Sequence, residues 1–95
     1  MELNTNLTSN QSIYTEYISN ISINVNVPSN STLKIGTSGP YSPHGNVFVI
    51  PKYFVLGPNG KTTLSITADI SSSELTQVAS GVNLTVTYYT TNLTG

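Results

Sequence analysis

From Ile21 to Val27 the chain reads ISINVNV, with Ile21, Ile23, Val25 and Val27 at one parity and Ser22, Asn24 and Asn26 at the other. Successive side chains of an extended strand point to opposite faces, so this alternation predicts a half-buried β-strand. Upstream, SIYTEYI (12–18) is β-branched and aromatic enough to be a strand as well, with Ser19 and Asn20 marking a bend or bulge between the two. Pro28 has no N–H to donate and ends the pairing. KTTLSITADI (61–70) alternates again, placing Leu64, Ile66, Ala68 and Ile70 inward and Thr63, Ser65, Thr67 and Asp69 outward. The last alternating segment puts Val82, Leu84, Val86 and Tyr88 on the core side and Asn83, Thr85, Thr87 and Tyr89 on the wet side.

Between these segments lie shorter signals. A brief strand is expected around Leu33 and Ile35, followed by TSGPYSPHG (37–45), whose two glycines and two prolines predict the longest irregular loop. NVFVI and KYFVL come next, separated by Pro51, expected at an edge or at a corner where the chain changes sheets. In GPNG (57–60), Pro58 presets φ and Asn59-Gly60 tolerates positive φ, which predicts a hairpin turn. SSSELTQVASG (71–81) is the helix candidate: Ser71 and Glu74 have the spacing of a capping box and Gly81 supplies a stop, for a short helical turn near 72–79.

Short strands joined by Gly, Pro and Asn turns, with one helical turn in a crossover, predict an all-β, two-sheet antiparallel sandwich. Ninety-five residues suffice for one core, so the expected organisation is a flexible arm over 1–10, a single domain over 11–91 and a tail over 92–95. The stretch FVLGPNGKTTLSITADISSSELTQVASGVNLTVTYY (54–89) resembles the closing half of the immunoglobulin-like sandwich modules of prokaryotic, archaeal and viral surface proteins. The shared pattern is a Pro-Gly turn, a Thr-rich alternating strand, a small-residue crossover and a final strand introduced by Gly. The tyrosine common just after that Gly is missing, since Val82 and Asn83 follow Gly81, and no Cys or Trp supports an antibody-type domain. The resemblance implies an Ig-like fold and no particular function.

Composition narrows the classes of function. Only seven residues carry full charge and none is Arg, so no basic patch exists to neutralise a run of phosphates, and nucleic acid is excluded as a partner. Solubility rests on the 27 Ser and Thr and 11 Asn residues. The absence of Cys removes disulfides and thiolate metal sites, and no apolar run approaches the ~20 residues of a spanning helix.

Six Asn-x-Ser/Thr triplets start at Asn6, Asn10, Asn20, Asn30, Asn83 and Asn92. They are candidate glycan acceptors on an exported chain. They are equally the by-product of strands whose wet face is built from Asn and Thr, because side chains two apart share a face. About three such triplets would arise by chance at this composition.

Candidate chemistry is sparse. His44 is the sole imidazole, and no pair of carboxylates has an acid/base spacing, so no catalytic residue, cofactor or metal ligand is assigned. Tyr41 and His44 form a candidate binding loop for a sugar or a protein; the competing account is that Tyr41 covers the open end of the core. In NVFVI and KYFVL both parities are apolar, so each strand asks for burial on both faces. Either another part of the chain covers the second face, or Phe48, Ile50, Tyr53 and Val55 form an assembly interface. The near-repeat of TNLTS (5–9) and TNLTG (91–95) raises the further idea of strand-competent ends exchanged between subunits.

These features point to a non-enzymatic structural protein on a virion or extracellular surface, whose partners are copies of itself or other coat and surface proteins. A virion coat or capsid-decorating subunit fits a chain starting at Met1 without a leader. A pilus-like filament subunit carrying N-glycans fits the triplets and needs a removed leader. A carbohydrate- or cell-surface-binding module using Tyr41, His44 and Tyr89 is the reading from a different class. With so few charges, cohesion between subunits is expected to be apolar, insensitive to salt and tolerant of acid.

Overall fold

In the computed structural model of the chain, which describes residues 1–77 and 82–95, the alternating segments form strands β1 Glu2–Thr8, β2 Thr15–Val25, β3 Thr32–Ile35, β4 Ser38–Tyr41, β5 Val47–Ile50, β6 Phe54–Leu56, β7 Lys61–Asp69 and β8 Leu84–Thr94. A 3-10 helix, Ser72–Gln77, lies between β7 and β8. One sheet has the order β1-β7-β3-β4. In the other, β2 is central, with β8 along one side and β5 and β6 in succession along the opposite side. All pairings are antiparallel, and the two sheets pack face to face as a sandwich.

The core is what the alternation dictates. Ile21, Ile23 and Val25 of β2 and Leu64, Ile66 and Ala68 of β7 are buried against Leu7, Leu33, Ile35, Phe48, Ile50 and Leu56 from the other strands. The outward set of β7, Lys61, Thr63, Ser65, Thr67 and Asp69, is exposed throughout, and the inward set is buried except for half-buried Thr62 at its start. Val82, Leu84, Val86 and Tyr88 pack on the same core while remaining partly exposed, as expected for a strand at the sheet margin.

A bulge in β2 keeps one strand in one core. Ile18 and Ile21 are three residues apart and would face opposite sides of a regular strand, yet both are fully buried. Pairing with β8 shifts register between Tyr17 and Ile18 and again between Ile18 and Asn20, so Ser19 in β2 and Thr91 in β8 are the unpaired residues. The expected bend at Ser19–Asn20 is therefore a bulge within a single continuous strand of 11 residues.

Several expectations are corrected. Residues 2–8, expected as an arm, form β1 and pair with β7 in unbroken register, with Leu7 buried. Residues 92–94, expected as a tail, belong to β8. Part of the supposed loop 37–45 is β4, which pairs with β3, and His44 and Val47 exchange backbone hydrogen bonds around a two-residue turn at Gly45-Asn46. Gly45 has φ +65°, a conformation that explains a glycine there. Pro51 interrupts an edge but does not change sheets, because β5 and β6 both pair with β2. The GPNG segment is a tight turn as expected, with Gly60 N–H donating to Gly57 O at 2.8 Å and Asn59 at φ 54°. It joins β6 to β7 in opposite sheets rather than closing a hairpin, since antiparallel partners are set by the core and not by the turn alone. The Ser71 backbone oxygen accepts from Glu74 N–H at 2.9 Å, a helical start made without the side-chain cap. The Gly81 stop lies outside the described residues.

Ser31 is buried between β2 and β3, and its hydroxyl has no hydrogen-bond partner among the described residues. Removing an unsatisfied buried hydroxyl relieves its desolvation cost. Ser31→Ala is expected to be neutral or stabilising by up to about 1 kcal/mol, whereas Phe48→Ala, which empties a fully buried site, should cost about 3–5 kcal/mol. Urea unfolding of the two variants checks the pair.

Candidate functional site

The two sheets present unlike outer faces. Cross-strand partners share a face in an antiparallel pair, so register assigns each side chain. On the β1-β7-β3 face stand Glu2, Lys34, Lys61 and Asp69, all exposed. Of the other charged residues, Glu16 is buried, Lys52 lies in the link between β5 and β6, and Glu74 is in the 3-10 helix. The strands of the β2 sheet's outer face therefore carry no charge, and Lys52 sits at their margin, next to Tyr53, with its Nζ 5.8 Å from the Phe54 ring centroid. The rows of that face are Val47, Asn24 and Thr85; Val49, Ser22 and Thr87; Asn20 and Tyr89; and Val55, Tyr17 and Asn92.

Along the β5–β6 side this neutral face is apolar and open. Val49 is 48% exposed and Val55 60%, beside Tyr53 in the link at 80%. Tyr17 and Tyr89 continue the patch across the sheet. Of the four residues expected at an interface, Tyr53 and Val55 are on the surface. Phe48 and Ile50 are not, because they take the inward parity of β5 and are fully buried in the core. Val49 replaces them, being the outward residue between the two. Among the described residues, no part of the chain covers this second face.

Tyr41 and His44 do not form a comparable site. Tyr41 is half-buried at the end of β4 and packs on the core, in keeping with the account in which it covers the open end. His44 is exposed, and its backbone closes the turn with Val47. Tyr89, named with them as a sugar platform, lies on the other sheet. Among the described residues no three His, Asp or Glu side chains come together as a metal set. Asn6, Asn10, Asn30, Asn83 and Asn92 are exposed, and Asn20 is half-buried beside the bulge, where its Oδ1 accepts from Ser19 Oγ at 3.1 Å.

The charged group that sequence reasoning missed is Glu16. It shares the inward parity of Ile18 and is 1% exposed. Its Oε1 accepts from Ser9 Oγ at 2.5 Å, from Asn10 N–H at 2.9 Å and from the Tyr88 hydroxyl at 3.3 Å, while Oε2 accepts from Thr90 Oγ1 at 2.6 Å. Burial pushes the carboxyl up, but the hydrogen bonds from Ser9, Thr90, Asn10 and Tyr88 together outweigh it and hold Glu16 below its ordinary value. Burial and the neighbouring Glu16 charge push the Tyr88 phenol up. The cluster ties the exit of β1 to β2 and β8. Its sequence signal is a lone carboxylate at core parity two residues before Ile18.

Beside it, between β1 and β8, lies an open concavity of about 450 Å³, with Asn6, Leu7 and Thr8 on one wall and Val86 and Tyr88 on the other. Tyr88 spans the seam, its single hydroxyl proton shared between Glu16 Oε1 at 3.3 Å and Thr8 O at 3.2 Å. Among the described residues no helix is long and apolar enough to cross a membrane.

Fold and site together define a two-sheet antiparallel all-β domain with one neutral, tyrosine-bearing face. No protein-family model, curated protein or solved structure matches the chain.

The expected tolerance of acid has a limit set by Glu16. Because its folded pKa is depressed, its contribution to stability is complete above the ordinary value of 4.5 and is lost as pH falls through the lower folded value. Glu16→Gln should lower the melting temperature at pH 7 and flatten the melting profile below the ordinary carboxylate range. Thermal melts of both proteins across the acid range check this, and a parallel acid slope in the two would contradict it.

Proposed function

We propose that this chain is a non-enzymatic structural subunit that assembles with copies of itself through the uncharged outer face of the β2 sheet. The observation that carries this reading is the segregation of charge. None of the seven charged residues stands on the strands of that face, Lys52 alone lying at its margin, while Val49, Val55, Tyr17 and Tyr89 are exposed there. A neutral face can meet its own copy without like-charge repulsion, and apolar and aromatic side chains are the groups that gain most from leaving water. The face lacks the charge pattern by which a binding surface selects an ionic ligand.

In this reading the charged outer face of the β1-β7-β3-β4 sheet looks outward to solvent and keeps the assembly dispersed. The finer description of the fold as an immunoglobulin-like module is supported by the run from the Pro58 turn through β7 and the 3-10 helix to β8. That run carries the chain from one sheet to the other, as the resemblance implies. Placement on a virion coat or other extracellular surface rests instead on the few charges and the Ser-, Thr- and Asn-rich composition.

Analytical ultracentrifugation over a concentration series checks the proposal. Oligomers should persist at 1 M salt, where the Debye length is about 3 Å. Val49→Lys and Val55→Lys should weaken assembly at least about tenfold while leaving the melting temperature close to that of the parent, and Lys34→Ala should have no effect. A monomer at every concentration refutes the reading, as does dissociation by salt alone.

A further inference from the structure

The four sheet edges are not equally protected. The β4 edge is four residues long and contains Pro40, which has no N–H to offer. The β5–β6 edge is broken by Pro51 and carries Lys52 at the break. The β1 edge carries Glu2. These are the devices by which sheets discourage edge-to-edge pairing. The β8 edge has none: LTVTYYTTNLT runs 11 residues without a charge, proline or glycine. It pairs with β2 on one side and with no strand on the other among the described residues.

A second observation lies alongside. The concavity of about 450 Å³ between β1 and β8 opens at this edge, with Leu7, Val86 and Tyr88 in its walls. At the far end of β8, Leu93 is the register partner of Glu16 and so takes the inward side, yet it is 42% exposed. An inward-facing leucine without cover and an open concavity, lined by polar side chains with Leu7 and Val86 among them, thus lie at opposite ends of one unprotected strand.

The geometry points to β8 as a strand-pairing edge whose occupant is the β8 of a second copy, joined antiparallel about a two-fold axis. Antiparallel pairing brings the 90–94 end of each copy alongside the 84–88 start of the other. Leu93 of each copy then arrives at the Val86 end of its partner's concavity. Main-chain hydrogen bonds hold the strands, and the concavity receives the alternate side chain, the division of labour of recognition by strand addition. No like charges oppose one another, because β8 has none. The inference rests on the proposed self-assembly and specifies one contact within it; the neutral face then remains free to stack the resulting two-fold pairs.

The chain contains no cysteine, so an introduced one reports on its own position. Single cysteines would replace the outward residues Thr85, Thr87 and Tyr89, and as controls Lys34 on β3 and Ser65 on β7, both exposed on the opposite outer face, with each variant oxidised alone and the β8 variants also mixed pairwise. A disulfide needs Cβ atoms about 3.5–4.5 Å apart. Rapid intermolecular disulfides from at least one β8 variant or β8 mixture, with neither control linking, support the proposal. So does a rise of about tenfold or more in the dimer dissociation constant for Leu93→Asp with the melting temperature retained. Oligomers that form normally while no β8 cysteine links, or while Lys34→Cys or Ser65→Cys links instead, overturn the β8 contact and leave self-assembly standing. A chain that stays monomeric at all concentrations overturns both.

Discussion

The alternation of β2, reset once at Ser19, is the constraint on which the rest of the sandwich depends. Among the described residues, β2 is the only strand of its sheet paired on both sides, with β8 along one edge and β5 and β6 along the other. A strand with strict period two could not bury both Ile18 and Ile21, and a one-residue slip would turn every core side chain outward. The bulge restores the parity, and Thr91 of β8 provides the matching irregularity across the pair. The same reset places Glu16 inside, since it lies on the Ile18 side of the bulge. The buried carboxylate follows from the apolar register.

Burying an ionised carboxylate without a cation is expensive unless hydrogen bonds replace its water. Here four donors do so, two of them from Ser9 and Asn10 just past β1 and two from β8. The arrangement converts a cost into a tie: β1 belongs to one sheet, β2 and β8 to the other, and Glu16 connects the three at the open side of the sandwich. Removing the donors would leave a buried charge, so the cluster constrains which residues can occupy positions 9, 88 and 90. It also makes the seam between β1 and β8 a defined concavity rather than a collapsed one, because Tyr88 is held across it.

Charge is distributed by sheet rather than evenly. With seven charged residues in 95, an even scatter would leave little bare area; concentrating four of them on one outer face leaves the opposite face neutral. The asymmetry matters at the edges as well. Three edges bear a proline, a lysine or a glutamate, and the one without any such residue borders the seam.

The sequence by itself determined the fold class and most of the inward residues, because parity is a local property of an extended chain. The set Ile21, Ile23, Val25 with Leu64, Ile66, Ala68 could be read without knowing any partner strand. Turn chemistry was equally legible at Gly57–Gly60, where φ preferences act within four residues. Which strands pair was not legible, since pairing depends on contacts between residues far apart in the chain. Hence β1 read as an arm, GPNG read as a hairpin, and Phe48 and Ile50 read as interface residues when their parity alone could not say which side the core lay on. Glu16 was invisible for the same reason. A carboxylate at an inward position is tolerable only where Ser9, Asn10, Tyr88 and Thr90 converge on it, and that convergence spans residues up to 74 apart in sequence, brought together by tertiary structure alone.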